Sequence, residues 1–395
     1  MRKPRLLVVA STYPRWPGDD SPAFVHQLAS RLTGRFDVAV STSRAPGAVR
    51  HETIGDVEVF RYAYAPAPLE TLVHGGGLVG NLRAQPWKLL LLPGFLLGWI
   101  LQLRALHRRF HFDAVHAHWF IPGAIVAACA IPGVPLCVTA HGTDVLRLRG
   151  GGWTWLRRRV AARARVVTAV GTALRDALQA EGIAPVEILP MGVDLSGTFV
   201  PGARRGPGTR LLFVGRLVAA KRPEVALHAF RDILRTRPEM RLDVVGDGPE
   251  RVRLERLASE LGIGEAVSFH GRQGHAALAC MYREAAGLLV PSGSPDAPEG
   301  LGLAAIEALG CGCPVVSVPN SSLQSLLPEG TPIRYARDAS AGAIAAATLA
   351  MLDEAGARPF DPRGPWRETL AGRFGWNAVA ARYGDLLASL VAPGG

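Results

Sequence analysis

The feature that most constrains this chain is a rhythm of short apolar runs separated by segments long enough for helices. Leu6–Ala10, Phe36–Val40, Val57–Tyr62, Ala114–Ala117, Leu136–Thr139 and Val166–Val170 each read as a buried strand. Between them, stretches such as Phe24–Leu32 and Leu174–Ala180 space their apolar residues for one face of a helix. After residue 209 the cycle restarts with Leu211–Val214, Leu242–Val245, Val267–Phe269, Leu288–Val290 and Val315–Val318. Pro223–Thr236, Pro249–Leu261, His275–Ala285 and Leu303–Leu309 are the intervening helices. Such alternation argues for an α/β fold, parallel sheets with helices on both faces. A chain of 395 residues exceeds what one core supports, so two doubly wound, Rossmann-like domains are expected. The Gly-, Pro- and Arg-rich stretch Leu195–Thr209 reads as their linker.

In doubly wound sheets ligands bind beyond the carboxyl ends of the strands, where Gly215, Gly246, Ser292 and Glu299 all fall. Two carboxylates, Glu299 and Glu307, lie eight positions apart in a helix-compatible stretch. On one helix that spacing returns to nearly the same face about 12 Å along the axis. The pair could hold two ends of an elongated polar ligand, or be two solvated glutamates. Gly300 and Gly302 leave the backbone bare, so N–H groups at the start of the helix can approach an anion. Upstream, the strand Arg210–Val214 is followed by Gly215, Arg216 and Lys221, in outline a phosphate-binding strand-to-helix junction. Lys221 is one of only three lysines among 44 basic residues, a compact ammonium in an arginine-rich chain.

Taken in order, Phe213-Val-Gly-Arg-Leu217, Lys221, Gly246-Asp-Gly-Pro249, Pro291-Ser292, Glu299-Gly-Leu-Gly302 and Glu307-Ala-Leu-Gly-Cys-Gly-Cys-Pro-Val-Val316 resemble the C-terminal half of a retaining glycosyltransferase of family 4. Val115-His-Ala-His-Trp119, Thr139-Ala-His-Gly-Thr-Asp144, Ile188-Leu-Pro-Met-Gly-Val-Asp194 and Phe374-Gly-Trp-Asn377 with Tyr383 resemble further segments of that family. The resemblance implies the GT-B architecture, two Rossmann-like domains facing across a cleft. It implies an acceptor-side domain of residues 1–195 plus 375–395 and a donor-binding domain of residues 196–374. The implied reaction moves a sugar, a hexose by expectation, from a nucleotide diphosphate-sugar to a hydroxyl acceptor, with retention.

In that reading the donor is held by Gly215, Arg216, Lys221, Gly246, His270, Gly271, Arg272, Glu299, Gly300, Leu301, Gly302, Leu303 and Glu307. Arg216 and Lys221 stabilise the departing diphosphate, Glu299 takes the donor sugar hydroxyls and Glu307 the ribose, while His270–Arg272 flank the base. His118 lies near the reacting centre, so His118, Arg216, Lys221 and Glu299 form the catalytic set. Tyr13, Arg15, Asp19, His141 and Asp144 are the acceptor-side candidates, with a capping role as the alternative for Asp144. No Asp-x-Asp metal motif occurs, so neither metal nor cofactor is expected beyond the nucleotide-sugar co-substrate.

Two departures bear on specificity. Where relatives carry a Gly-Gly loop after the first strand, this chain has Tyr13-Pro-Arg-Trp-Pro-Gly-Asp-Asp-Ser-Pro-Ala-Phe24. After Val318 the usual Gly-Gly and Glu are replaced by Asn320-Ser-Ser-Leu-Gln-Ser325, and Pro291–Pro298 is longer than the common form. The sugar, the base and the acceptor, whether glycan, lipid-linked intermediate or small metabolite, stay open. The alternatives are a nucleotide-sugar epimerase or phosphorylase on the same fold, and a non-catalytic nucleotide-sugar-binding subunit of a membrane assembly. A dehydrogenase is disfavoured, because the one Gly-x-Gly-x-x-Gly string, Gly75–Gly80, follows no strand.

Net charge is +11, and residues 1–200 carry 22 Lys/Arg against 13 Asp/Glu, so the excess is N-terminal. A basic surface of this kind suits peripheral contact with anionic lipid or a phosphorylated acceptor, and no nucleic-acid motif accompanies it. Leu89–Leu103 is mostly apolar and ends in Arg104, Arg108 and Arg109. It reads as too short to span a membrane, and as a core or domain-interface helix, with an interfacial anchor as the alternative. Five cysteines, an odd number in apolar or glycine-rich surroundings, and an N-terminal apolar run too short for a signal peptide lead to a cytoplasmic expectation, if anywhere membrane-side at the inner face.

Overall fold

The computed structural model describes residues 2–19, 23–74, 77–202, 208–293, 299–357 and 361–391. Two compact units result: Met1–Gly192 with Val379–Gly395, and Val193–Ala378. The first is built on eight strands, β1 (Arg5–Val9), β2 (Asp37–Ser43), β3 (His51–Ile54), β4 (Val57–Tyr62), β5 (Ala114–His118), β6 (Leu136–Ala140), β7 (Val166–Ala169) and β8 (Glu187–Ile188). Their order is β3-β4-β2-β1-β5-β6-β7-β8. Every pairing is parallel except the β3–β4 hairpin at the edge. Central strands such as β1 bury Leu6, Leu7, Val8 and Val9 almost completely, which is why they read as unbroken apolar runs. Edge strand β3, His-Glu-Thr-Ile, lacks such a run and its sequence gives no apolar signal.

Among the described residues the helices between these strands are α1 (Ala23–Leu32), α2 (Gly77–Ala84), α3 (Leu92–Phe110), α4 (Ile125–Ala130), α5 (Gly151–Ala161) and α6 (Thr172–Ala180). The expected 89–103 helix is longer than its apolar core suggested, because a 3-10 turn at Pro86–Leu91 runs directly into α3. The stretch Pro86–Phe110, 25 residues, meets the length and mean hydropathy of a membrane span. Its stripe Phe95, Trp99, Leu103 and Leu106 is nevertheless buried, and the Trp99 indole donates to Ser41 Oγ on β2 at 3.0 Å. A helix bound to its own sheet in this way is a surface helix of the domain.

The second unit carries six strands, β9 (Arg210–Val214), β10 (Arg241–Val245), β11 (Val267–Gly271), β12 (Gly287–Val290), β13 (Val315–Ser317) and β14 (Ile333–Tyr335). All are parallel, in the order β11-β10-β9-β12-β13-β14. Helices α7 (Pro223–Thr236), α8 (Arg251–Glu260), α9 (His275–Glu284), α10 (Leu303–Cys311), α11 (Ser321–Leu326), α12 (Ala341–Ala357) and α13 (Trp366–Phe374) follow. Ala226, Ala229, Phe230 and Ile233 on α7 pack on Leu211, Phe213, Leu242 and Val244. The expected linker Leu195–Thr209 is corrected at its start. Leu195 and Phe199 are buried, and Arg283 donates to the carbonyls of Thr198 and Val200, so this stretch belongs to the second unit's core. Residues 203–207 of that stretch lie outside the described residues.

The last helix, α14 (Trp376–Val391), begins in the second unit and ends in the first. There Tyr383 is fully buried, stacks on His116 at 5.3 Å and donates to the carbonyl of Leu189. Each sheet has one point where the chain reverses its direction of winding, between β1 and β5 in the first and between β9 and β12 in the second. Ligand crevices form at such points.

Candidate active site

Three turns of the second unit are stitched together at the carboxyl edge of its sheet. Gly215 N–H donates to Val245 O, Leu217 N–H to Asp247 O, Glu250 N–H to Leu217 O and Gly246 N–H to Gly271 O. The approach is so close that a Cβ on Gly246 would sit 1.9 Å from Gly215 O, and one on Gly248 2.3 Å from Leu217 O. Gly246 also has φ +133°. Only glycine serves at these points, which explains the Gly-Asp-Gly spacing in chemical terms.

Lys221 ends a 3-10 turn after β9 and its side chain returns over Gly215. Its ammonium pairs with Glu299 Oε1, while Ser292 Oγ donates to Glu299 Oε2. These residues follow β9 and β12, the strands that flank the winding reversal. Burial by itself pushes the Glu299 carboxyl up, but the Lys221 charge, hydrogen bonds from Lys221 and Ser292, and the Arg216 charge together hold it below the usual range. Arg216, Lys221, Ser292 and Glu299 thus form one electrostatic group. Ser292 is the member whose role the sequence reading did not assign; its place after an apolar strand was the available signal.

One expectation is corrected here. Glu299 and Glu307 do not share a helix, because Gly302, at φ +79°, starts α10 only at Leu303. Glu299 lies in the preceding turn, with Gly300 and Leu301 between it and the helix, and residues 294–298 are outside the described residues. Glu307 sits on the second turn of α10, where its Oε2 accepts from the Tyr282 hydroxyl at 3.2 Å. Burial raises its pKa, against the charge of His275 and the Tyr282 bond.

His270 is bound to its own sheet. It projects from edge strand β11 toward Asp243 on β10, with Nε2 2.8 Å from Oδ1, and Arg210 donates to the same carboxylate. It belongs to a sheet-face ion cluster, whereas Gly271 is part of the stitched turns and Arg272 is exposed beside it.

In the first unit His118 ends β5 and His141 follows β6, with His118 Nδ1 2.9 Å from His141 Nε2 and the rings stacked. Burial, then the neighbouring histidines, hold His118 well below its ordinary pKa, and burial brings His141 to about 3. Both are neutral at neutral pH. His118 Nε2 is buried with no hydrogen-bond partner among the described residues.

Asp144 is buried, its oxygens accepting from the backbone N–H of His141, Gly142 and Phe120. That ties the turn after β6 to the turn after β5, so of its two expected roles the structure shows the structural one. Tyr13 is likewise buried, its hydroxyl 2.6 Å from His26 Nδ1, with burial raising its pKa. Arg15 pairs with Asp19 at 2.8 Å and lies over the Trp16 ring. The hydrogen bond from Arg15 holds Asp19 below the usual carboxylate range.

The chain matches known proteins over most of its length. Residues 22–196 match the family model described as Glycosyltransferase Family 4, and residues 201–356 the one described as Glycosyl transferases group 1. The D-inositol 3-phosphate glycosyltransferase of Frankia alni is 31% identical over 82% of this chain and 88% of its own length. D-inositol 3-phosphate glycosyltransferase 2 of Catenulispora acidiphila is 32% identical, covering 84% and 85%. Among solved structures, sucrose-phosphate synthase from Thermosynechococcus elongatus superposes with a TM-score of 0.80 at 22% identity, covering 99% and 100%. Anabaena HepE, solved with UDP and glucose, gives 0.71 at 15%, covering 98% and 99%. The fold is GT-B, and the chain belongs to glycosyltransferase family 4.

Proposed function

We propose that this glycosyltransferase transfers a hexose from a nucleotide diphosphate-sugar to an acceptor hydroxyl, with retention of configuration and without a metal. The observation that carries the reading is the group Arg216, Lys221 and Glu299 at the winding reversal of the second sheet. As the glycosidic bond breaks, negative charge builds on the diphosphate oxygen, and two fixed cations beside it lower that barrier. Glu299 and Glu307 offer carboxylate oxygens to the sugar and ribose hydroxyls. The leaving phosphate oxygen takes the acceptor proton on the face from which it departs.

The curated relatives are named for D-inositol 3-phosphate, and HepE was solved with UDP and glucose. For this chain the acceptor class stays at a hydroxyl compound, because Tyr13–Phe24 replaces the loop that shapes the acceptor side in relatives. The basic N-terminal half supports a cytoplasmic enzyme in peripheral contact with an anionic membrane.

The test is thermal stability against UDP-, GDP-, ADP- and dTDP-sugars, with and without magnesium. A ligand at ~100 times its dissociation constant adds ~2.7 kcal/mol, so one nucleotide class raises the melting temperature regardless of magnesium. Lys221→Ala loses this response and turns over ~10²-fold more slowly or worse. Near-normal transfer by Lys221→Ala would overturn the diphosphate assignment. An inverted anomer in the proton spectrum of the product would overturn retention.

A further inference from the structure

We infer that the outer faces of α3 and α5 form one membrane-docking surface, in which leucine and tryptophan side chains enter an anionic lipid interface and arginines hold the headgroup phosphates. This deepens the peripheral-contact reading above and rests on it. Opposite its buried stripe, α3 and the turn before it present Leu90, Leu97 and Leu101 to solvent, with Leu90 82% and Leu97 58% exposed. Their spacing continues into Arg104 and Arg108, so a single stripe passes from apolar to cationic. On α5, Trp153 and Trp155 are exposed, the latter 63%, and with Arg149 line an open, shallow patch of surface.

Topology brings these features together. The connections from β4 to β5 and from β6 to β7 move the same way along the sheet, and right-handed crossover puts α3 and α5 on one face. Gly94 and Gly98 pack on the carbonyls of Tyr64 and Ala63, just past β4, so the apolar end of α3 lies at the sheet's carboxyl edge. α5 starts at that same edge after β6, which places Trp153 and Trp155 there too.

Charge identifies the occupant. No acidic residue lies between Glu70 and Asp113 or between Asp144 and Asp176, segments that hold five and eight Lys/Arg. Among the described residues no ion pair engages Arg104, Arg108, Arg109, Arg147, Arg149 or Arg159. A second copy docked through this face would set arginine against arginine across a two-fold axis. Nucleic acid would meet the arginines and leave the leucines against phosphate. An anionic bilayer surface matches both halves of the pattern, with indoles at headgroup depth.

The test is sedimentation of the full chain with vesicles of phosphatidylcholine alone and of equal parts phosphatidylcholine and phosphatidylglycerol. The chain partitions at least ~10-fold more strongly to the anionic vesicles, an advantage that salt removes. Leu90→Ser with Leu97→Ser, at exposed positions and with the wild-type melting temperature, lowers partitioning by ~10-fold or more. Arg108→Gln with Arg159→Gln removes most of the preference for phosphatidylglycerol. Unchanged partitioning in both double variants overturns this surface while leaving lipid contact elsewhere on the unit. No sedimentation with either vesicle overturns both, and a wild-type dimer that the leucine variants dissociate overturns this surface. None of these outcomes bears on the donor, which the nucleotide-sugar stabilisation reads separately.

Discussion

At the scale of single residues, the two units hold their ionisable groups by opposite means. Glu299 is kept charged in a half-buried turn by Lys221, Ser292 and Arg216, whereas His116, His118 and His141 are kept neutral by burial. His116 is the clearest case. Its Nε2 bonds Thr139, its ring lies under Tyr383, and burial depresses its pKa to about 3. Below the ordinary value of ~6.5 the unfolded chain takes up a proton that the folded one refuses. The stability this group contributes is therefore complete above about pH 6.5 and is lost as pH falls toward the folded value. The slope is about 1.4 kcal/mol per pH unit for one such group. His116→Gln keeps a hydrogen bond to Thr139 without titrating. Urea unfolding between pH 6.5 and 5 should show the wild type losing ~1–2 kcal/mol more than this variant, the other histidines cancelling. Equal losses would mean that His116 is not held neutral.

At the scale of elements, the turns after β9 and β10 act as one piece. Gly246→Ala places a Cβ inside the Gly215 carbonyl and demands φ +133° of an alanine. We expect a loss of at least ~2 kcal/mol, together with the donor-induced rise in melting temperature, because the turn carrying Arg216 and leading to Lys221 must move. Gly274→Ala, whose Cβ would meet nothing within 4 Å, serves as the control and should behave as the wild type in both measurements. The central strands of both units, and helices α1, α3 and α6 to α10, were legible from their apolar runs. Edge strands β3 and β14 were not, since a half-exposed strand of three or four residues has no apolar run to read. The start of α10 was legible at Leu303, where the left-handed Gly302 opens the helix, so the Glu299–Glu307 spacing never lay on one helix.

At the scale of the whole molecule, α14 is the element common to both units. Tyr383 ties its end to Leu189 and His116, residues nearly two hundred and more than two hundred and sixty positions away. Tyr383→Phe leaves the buried Leu189 carbonyl unpaired and should cost about 1–2 kcal/mol. Tyr383→Ala, which also opens a cavity, should cost ~3–5 kcal/mol. Denaturant unfolding followed by tryptophan emission measures both, and equal effects would show that packing at this site contributes nothing beyond the hydroxyl.

By itself the sequence determined the class of fold, the two-unit plan, the family, and the turns in which the site lies, because burial along a strand and the glycines of a tight turn are local requirements. Only the tertiary structure decided which of these turns meet. Lys221 and Glu299 are 78 positions apart, and their pairing depends on β9 and β12 being neighbours at the winding reversal. His270 turns to Asp243 because β11 is an edge strand paired to β10, and Asp144 is spent on two turns that the order of β5 and β6 brings together. Strand order is set by packing across the whole sheet, and no spacing along the chain encodes it.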